Sequence, residues 1–339
     1  MFLRNQWYVA ATGEELGRTL IARTILSEPL ILYRTEAGAP VAMEDRCPHR
    51  AAPLSRGKLI GDIVQCPYHG MEFASDGRCA RVPGQASIPP RLRARTFPMA
   101  EKHGWVWIWM GDAAKADPAL IHDYHWNEEP GWQPVFGYTH VNAEYRLVVD
   151  NLMDLTHETF VHPTSIGQTA VAETPITTTT ENGKVKVSRV MPGIPAPPLF
   201  AKIRGLKTID RWQHIFFDLP AHVRIDAGGV PADTKDMKKA LNWMVQNAMT
   251  PETERSTHYF WSISRCFEVG DAALSKVLHG QIANIFAEDC TILEEQQKRI
   301  DNDPLHRPLL ATNGDAGGVA ARRMIDQALA AEARPQAAE

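Results

Sequence analysis

Cys47-Pro48-His49-Arg50 and, sixteen intervening residues after His49, Cys66-Pro67-Tyr68-His69-Gly70 decide how the first third of this chain folds. Each segment pairs one thiol with one imidazole, and the Cys-to-His offset differs between them. Two thiols and two imidazoles can hold a tetrahedral zinc ion. They can also hold a two-iron cluster in which one iron takes both thiolates and the other both imidazoles. Zinc fingers group Cys with Cys and His with His, whereas both segments here are mixed, so the spacing favours the cluster and leaves structural zinc as the alternative. The Pro and Gly neighbours suit tight loops that turn backbone N–H groups toward sulfur.

The sequence around these loops reads as short strands. Pro29 to Arg34 and Gly104 to Met110 are aliphatic and aromatic runs bounded by Gly, Pro or acidic residues. They predict a small all-β domain carrying the Rieske-type [2Fe-2S] centre. The segment from Ala113 to Trp132 loses the alternation and gains Asp, Pro and Glu, which marks a connection. The boundary is placed at residue 118, giving domains 1–118 and 119–339. Cys79 lies outside the pattern and reads as a buried core thiol.

The second domain reads as α+β. A helix is expected from Leu147 to Phe160, strands at Lys184 to Val190 and His258 to Ile263, and a long helix from about Asp271 to Ile300. Met191 to Pro198 is rich in proline and predicts a loop. The Ala-rich tail, 328–339, predicts a frayed helix end.

Within Asp150 to Pro163, residues Asn151, Asp154 and His157 follow at i, i+3 steps and share one helical face. His162 lies five residues past His157, about 140° round an ideal helix, so the helix must end for both imidazoles to meet. Pro163 biases His162 out of the α region. Two histidines and a carboxylate form the facial triad of non-haem Fe(II) oxygenases. Asp289 is the candidate carboxylate, since the residues three and four away are Ile285, Phe286, Ile292 and Leu293. A carboxylate in that apolar stripe needs a metal or a cationic partner, and a buried ion pair with Arg or Lys is the competing explanation. For the histidines, the competing explanation is a structural pair.

The chain has 339 residues, 44% of them hydrophobic and 22% charged, with a net charge of -4 and five cysteines. No basic stripe points to nucleic acid. No window suits a membrane span and no leader stands at the N-terminus, so a cytoplasmic protein is expected. Scattered cysteines argue for ligands and free thiols over a disulfide framework.

Taken together, these residues closely resemble the oxygenase components of Rieske non-haem iron oxygenases, within them the vanillate O-demethylase and dicamba monooxygenase group. The likeness runs through Asn5 to Ala10, both cysteine-histidine segments, Asp150 to Thr159, Phe286 to Asp289 and Asp315 to Val319. It implies a helix-grip-like catalytic domain with an antiparallel sheet and helices, and a homotrimer. Cys47, His49, Cys66 and His69 would hold the cluster; His157, His162 and Asp289 would hold mononuclear Fe(II). Asp154 would bridge His69 of the adjacent chain and His157 of its own, and Asn151 would sit beside the iron. The implied reaction uses O2 and two electrons to hydroxylate an aryl O–CH3 group, releasing formaldehyde and a phenol.

The chain has neither a dinucleotide fingerprint nor a plant-type ferredoxin cysteine run. A separate NAD(P)H-dependent flavin and iron-sulfur reductase is therefore expected. A small aromatic acid is the expected substrate, with Arg211, His214, His222 and Arg224 as candidates to meet its carboxylate. Ring dihydroxylation, methyl-group oxidation of another aromatic acid or an arylsulfonate, and simple electron carriage are the alternatives. The roughly 220 residues after the β domain count against the electron carrier.

Overall fold

Apolar runs cut by frequent turns fold the first third into small antiparallel sheets in the structure, a computed structural model that describes residues 1–334. Two units are distinguished: Phe2–Asp123 with Thr250–Thr253, and Met1 with Tyr124–Met249 and the chain from Glu254 onward. The first unit contains β1 (Trp7–Thr12), β2 (Ile21–Ile25), β3 (Glu28–Arg34), β4 (Pro40–Glu44), β5 (Lys58–Ile60) and β6 (Ile63–Gln65). It continues with β7 (Glu72–Phe73), β8 (Cys79–Arg81), β9 (Thr96–Phe97), β10 (Met99–Lys102) and β11 (Trp105–Trp109). Their sheet orders are β1-β11-β10, β2-β3-β4-β9 and β5-β6-β7-β8.

Alternation along β3 explains its unbroken apolar run. Leu30 and Leu32 pack with Tyr8, Val106 and Ile108, while Ile31 and Tyr33 point the other way among Cys47, Val64, Cys66 and Phe73. A strand buried on both faces needs no polar side. The second of these clusters seats both candidate cysteines. Cys79 only borders it and is half-buried, short of the core position expected for it, because its short strand lies at the end of its sheet.

The second unit holds β12 (Gln133–Val141), β13 (Thr177–Glu181), β14 (Lys184–Pro195), β15 (Thr208–Asp218), β16 (His222–Pro231), β17 (Leu241–Thr253) and β18 (Ser256–Arg265). They form one antiparallel sheet in the order β12-β18-β17-β16-β15-β14-β13, with the last residues of β17 counted in the first unit. The helices are α1 (Tyr145–Met153), α2 (Glu158–Val161), α3 (Thr169–Glu173), α4 (Pro198–Arg204), α5 (Ala272–Asp301) and α6 (Ala316–Glu332). Asp271 caps α5 by accepting from the Leu274 N–H. The face of α5 carrying Ile285, Phe286 and Asp289 is buried, and Phe286 packs on Tyr259 and Trp261 of β18.

Two expected elements differ. The predicted helix from Leu147 to Phe160 breaks at Asp154 (φ -125°, ψ 94°), whose carboxylate accepts from Thr156 N–H and opens a 3-10 turn, Leu155–His157. A short polar side chain competing for backbone N–H groups stops a helix in this way. The proline-rich stretch is not all loop: Met191–Pro195 continues β14 across a register shift, with Gly193 at φ 65°. A bulge removes the ladder position that proline cannot fill.

Between Asp112 and Trp132 the connection is built of 3-10 turns, the first two capped by Asp112 and Asp117. The Ala-rich end stays helical to Glu332, and residues 335–339 of the expected frayed tail lie outside the described residues. No described helix is long and apolar enough to cross a membrane.

Candidate active site

The two cysteine-histidine loops are built alike. Cys47 N–H donates to Ala52 O and Ala51 N–H to Cys47 O, while Cys66 N–H donates to Met71 O and Gly70 N–H to Cys66 O. Four residues after each cysteine the backbone turns left-handed, at Ala51 (φ 56°) and Gly70 (φ 66°). Alanine there is strained, and such strain persists where surrounding structure imposes it.

Both thiols are buried and unbridged, whereas His49 and His69 are exposed with ring centroids 4.9 Å apart. Burial pushes the Cys47 thiol up, the backbone N–H groups of His49 and Arg50 pull it down, and the adjacent Cys66 adds to the rise. A buried pair of thiols beneath an exposed pair of imidazoles fits a cluster with one thiolate-bound and one imidazole-bound iron.

The second set lies wholly within the catalytic unit. His157 ends the 3-10 turn, His162 follows α2 outside helical geometry (φ -118°, ψ 47°), and Asp289 projects from the middle of α5. One donor atom from each lies within 4.8 Å of the others. Asp289 Oδ1 is 3.3 Å from His157 Nε2 and 3.1 Å from His162 Nε2.

Hydrogen bonds fix both rings from behind. His157 Nδ1–H donates to the Asp154 carbonyl at 2.6 Å, and His162 Nδ1–H to the Glu288 carboxylate at 2.6 Å. Each Nε2 lone pair is thus left to face Asp289. His162 Nε2 is buried and lacks an aligned hydrogen bond, an orphan that a metal ion would satisfy.

Burial alone would raise the Asp289 carboxyl, but the nearness of the two imidazoles in their protonated form outweighs it and holds the group at about 2. Asn151 Nδ2 also donates to Asp289 Oδ1 at 3.2 Å. Among the described residues no Lys or Arg pairs with Asp289, which removes the ion-pair explanation. The two imidazoles and one carboxylate fit Fe(II) with open positions.

Asp154 departs from its expected geometry. Its backbone carbonyl, not its carboxylate, reaches His157, because the side chain is turned back to cap the Thr156 N–H. Glu288 was invisible to helical periodicity: half-exposed and one step round from Asp289, it matters only because the His162 ring lands beside it.

These donors open onto a cavity of about 90 Å3, walled by Leu152, Trp243, Ile263 and Phe286 among others. Of the four residues proposed to meet a substrate, Arg211 lines it and His214, His222 and Arg224 do not. Strand alternation is the reason. Arg211 and Gln213 of β15 and Ile225 and Ala227 of β16 share the cavity face, so the even-numbered neighbours point away. His214 hydrogen-bonds Ser188 at 3.2 Å, His222 meets the Tyr124 hydroxyl at 3.0 Å, and Arg224 lies over the Phe216 and Trp126 rings. Arg211 is already paired with Glu158 at 3.0 Å. Glu158 and Gln213 are cavity residues that the sequence pattern did not single out.

Comparison with known proteins agrees with this arrangement. Residues 6–98 match the Rieske [2Fe-2S] domain, and residues 141–331 match the vanillate O-demethylase oxygenase C-terminal domain. A vanillate O-demethylase oxygenase subunit of Pseudomonas sp. (strain HR199 / DSM 7063) is 41% identical over 98% of this chain and 96% of that protein. A putative toluene-4-sulfonate monooxygenase system iron-sulfur subunit of Comamonas testosteroni is 40% identical over 98% of both.

Crystal structures of dicamba monooxygenase align over 98% of this chain. The complex with 3,6-dichlorosalicylic acid gives a TM-score of 0.92 at 35% identity over 99% of its chain. The form with non-heme iron and dicamba gives 0.84 at 35% over 98% of its chain. A motif-bearing likeness along the whole chain identifies it as an oxidoreductase with a [2Fe-2S] cluster and mononuclear iron as cofactors: it belongs to the Rieske non-haem iron oxygenases, as a monooxygenase component of the vanillate O-demethylase type.

Proposed function

We propose that this chain is a terminal oxygenase that removes the methyl group of an aromatic acid methyl ether, turning a vanillate-like substrate into a protocatechuate-like phenol and formaldehyde. The observation that carries this is the convergence of two oriented imidazole nitrogens and Asp289 on one apolar cavity. Residues 1–118 carry the cluster, held by Cys47, His49, Cys66 and His69; residues 119–339 carry the iron, held by His157, His162 and Asp289. When bound, the cluster supplies single electrons and the iron activates O2.

The side chains of this chain do the rest. Phe286, Trp243 and Leu155 present apolar surface to an aromatic ring and keep water from it. Glu288 and the Asp154 carbonyl hold the imidazoles in one tautomer and orientation. Asn151 steadies Asp289. Lys202 stands at an outer hollow that shares Leu199, Ile166 and Ile285 with the cavity wall, where a cation would draw in an acid.

A homotrimer follows from the family likeness, with Asp154 as the carboxylate between the partner's His69 and the iron site. Electrons come from a separate NAD(P)H-dependent flavin and iron-sulfur reductase. That source and the free cysteines support a cytoplasmic setting.

The test supplies the purified oxygenase with such a reductase, O2 and vanillate. Formaldehyde and protocatechuate in equal amounts are expected; a ring diol without formaldehyde would replace demethylation with dihydroxylation. The relative named for toluene-4-sulfonate favours one second reading, oxidation of an arylsulfonate methyl group. Toluene sulfonate oxidised to its benzylic alcohol while vanillate stays inert would establish that reading instead.

A further inference from the structure

Apart from the three proposed iron ligands, the polar side chains on the cavity wall are Glu158, Arg211 and Gln213. They stand together. Arg211 Nη2 donates to Glu158 Oε2 at 3.0 Å, and Gln213 Nε2 donates to Glu158 Oε1 at 2.9 Å and Oε2 at 3.0 Å. All three side chains are buried. Beside them on the same sheet face, β16, β17 and β18 offer Ile225, Ala227, Trp243, Val245 and Ile263. A ligand entering the cavity therefore meets polar groups on one side.

The remaining valences of that wall define what it can read. A carboxylate has about four acceptor positions, and Arg211 and Gln213 fill three of those on Glu158. Arg211 spends its other bonds on Ile166 O and Gln168 Oε1, which leaves N–H groups over. One acceptor on Glu158 and donors on Arg211 remain on this wall, while Arg189, off the wall, reaches Gln213 Oε1 at 3.5 Å. A hydroxyl both gives and takes a hydrogen bond and carries no charge, so it matches. An ionised carboxylate does not: it only accepts, so it cannot fill the open acceptor position on Glu158.

The geometry points to Glu158 as the specificity-determining residue of the cavity, accepting a hydrogen bond from a hydroxyl on the substrate ring and denying this wall to an acid group. Glu158 directly follows His157 in the chain. Both residues line the cavity, so we assign the hydroxyl it reads to the ring edge that carries the reacting methoxy group, and the acid group of the same substrate to the part of the wall away from Arg211. This rests on the reading that the cavity takes an aryl methyl ether.

The experiment measures dissociation constants by calorimetry on the holoenzyme for vanillate, its analogue lacking the ring hydroxyl, and its analogue lacking the carboxylate. Removing the hydroxyl is expected to weaken binding at least about tenfold, as loss of a hydrogen bond to a charged group does. Removing the carboxylate should weaken it less. In Glu158→Gln the penalty for the missing hydroxyl should shrink severalfold.

A larger loss on removing the carboxylate, or equal binding with and without the hydroxyl, overturns the assignment in the wild-type protein alone, whatever the variant's folding. An unchanged hydroxyl penalty in folded Glu158→Gln overturns it too. Formaldehyde from hydroxylated and unhydroxylated ethers with equal affinity would leave demethylation standing while removing Glu158 from its role. No binding of any of the three would overturn the aryl ether reading, and this one with it.

Discussion

Two imidazoles that face the same carboxylate are aimed by different groups, and the difference can be measured. His162 is oriented by the Glu288 carboxylate and His157 by the Asp154 main-chain carbonyl. Glu288→Ala should therefore lower affinity for mononuclear iron by about 10–100-fold, the usual effect of losing such a support, in competition with a chelator. Asp154→Asn keeps the carbonyl, so iron should stay bound while turnover falls, since the proposed bridge to the cluster loses its charge. Iron loss in Asp154→Asn, or full turnover, would refute that division of labour.

At this scale the donor residues were legible because histidines, cysteines and a carboxylate in an apolar helical stripe are costly without a partner. Glu288, Glu158 and Gln213 were not. Their importance comes from which ring or guanidinium folds against them, and no spacing rule encodes that. Arg211 was separated from His214, His222 and Arg224 only once strand register was known.

Among the elements, β12 and β18 depend on a residue with no side chain. Gly137 pairs with Trp261 across the two strands, and a Cβ at Gly137 would lie 2.0 Å from Trp261 Cζ2. The indole is itself packed on Phe286 of α5, so it has little freedom to yield. Gly137→Ala should destabilise the catalytic unit by about 1–3 kcal/mol, an overpacking cost. A thermal melt lowered by several degrees is the expected reading; an unchanged midpoint would mean that the strand pair relaxes without cost.

Elements set by apolar pattern were readable in advance: the strand β3, the aromatic β11 and the long α5 starting near Asp271. The break at Asp154 and the extension of β14 through Pro192 were harder. The first turns on one side chain capturing one N–H, the second on a bulge whose position is fixed by the neighbouring strand. In both, local composition was overruled by where the backbone hydrogen bonds go.

At the scale of the whole molecule, the α+β class followed from a strand-rich first third and a mixed remainder. The family likeness added what pattern cannot supply, an antiparallel sheet gripping a helix and the pairing of two iron centres in one chain. Neither set of ligands alone separates an oxygenase from an electron carrier. Their combination does, provided that the second set holds iron.

The most direct measurement is iron and acid-labile sulfide content, with the spectrum of the reduced cluster, for the wild-type protein and His162→Ala prepared side by side. About three irons per two sulfides are predicted for the wild type, and about two irons per two sulfides with an unaltered Rieske spectrum for the variant. The same iron content in both, or loss of sulfide from the variant, would contradict the assignment of His157, His162 and Asp289 to a mononuclear iron centre.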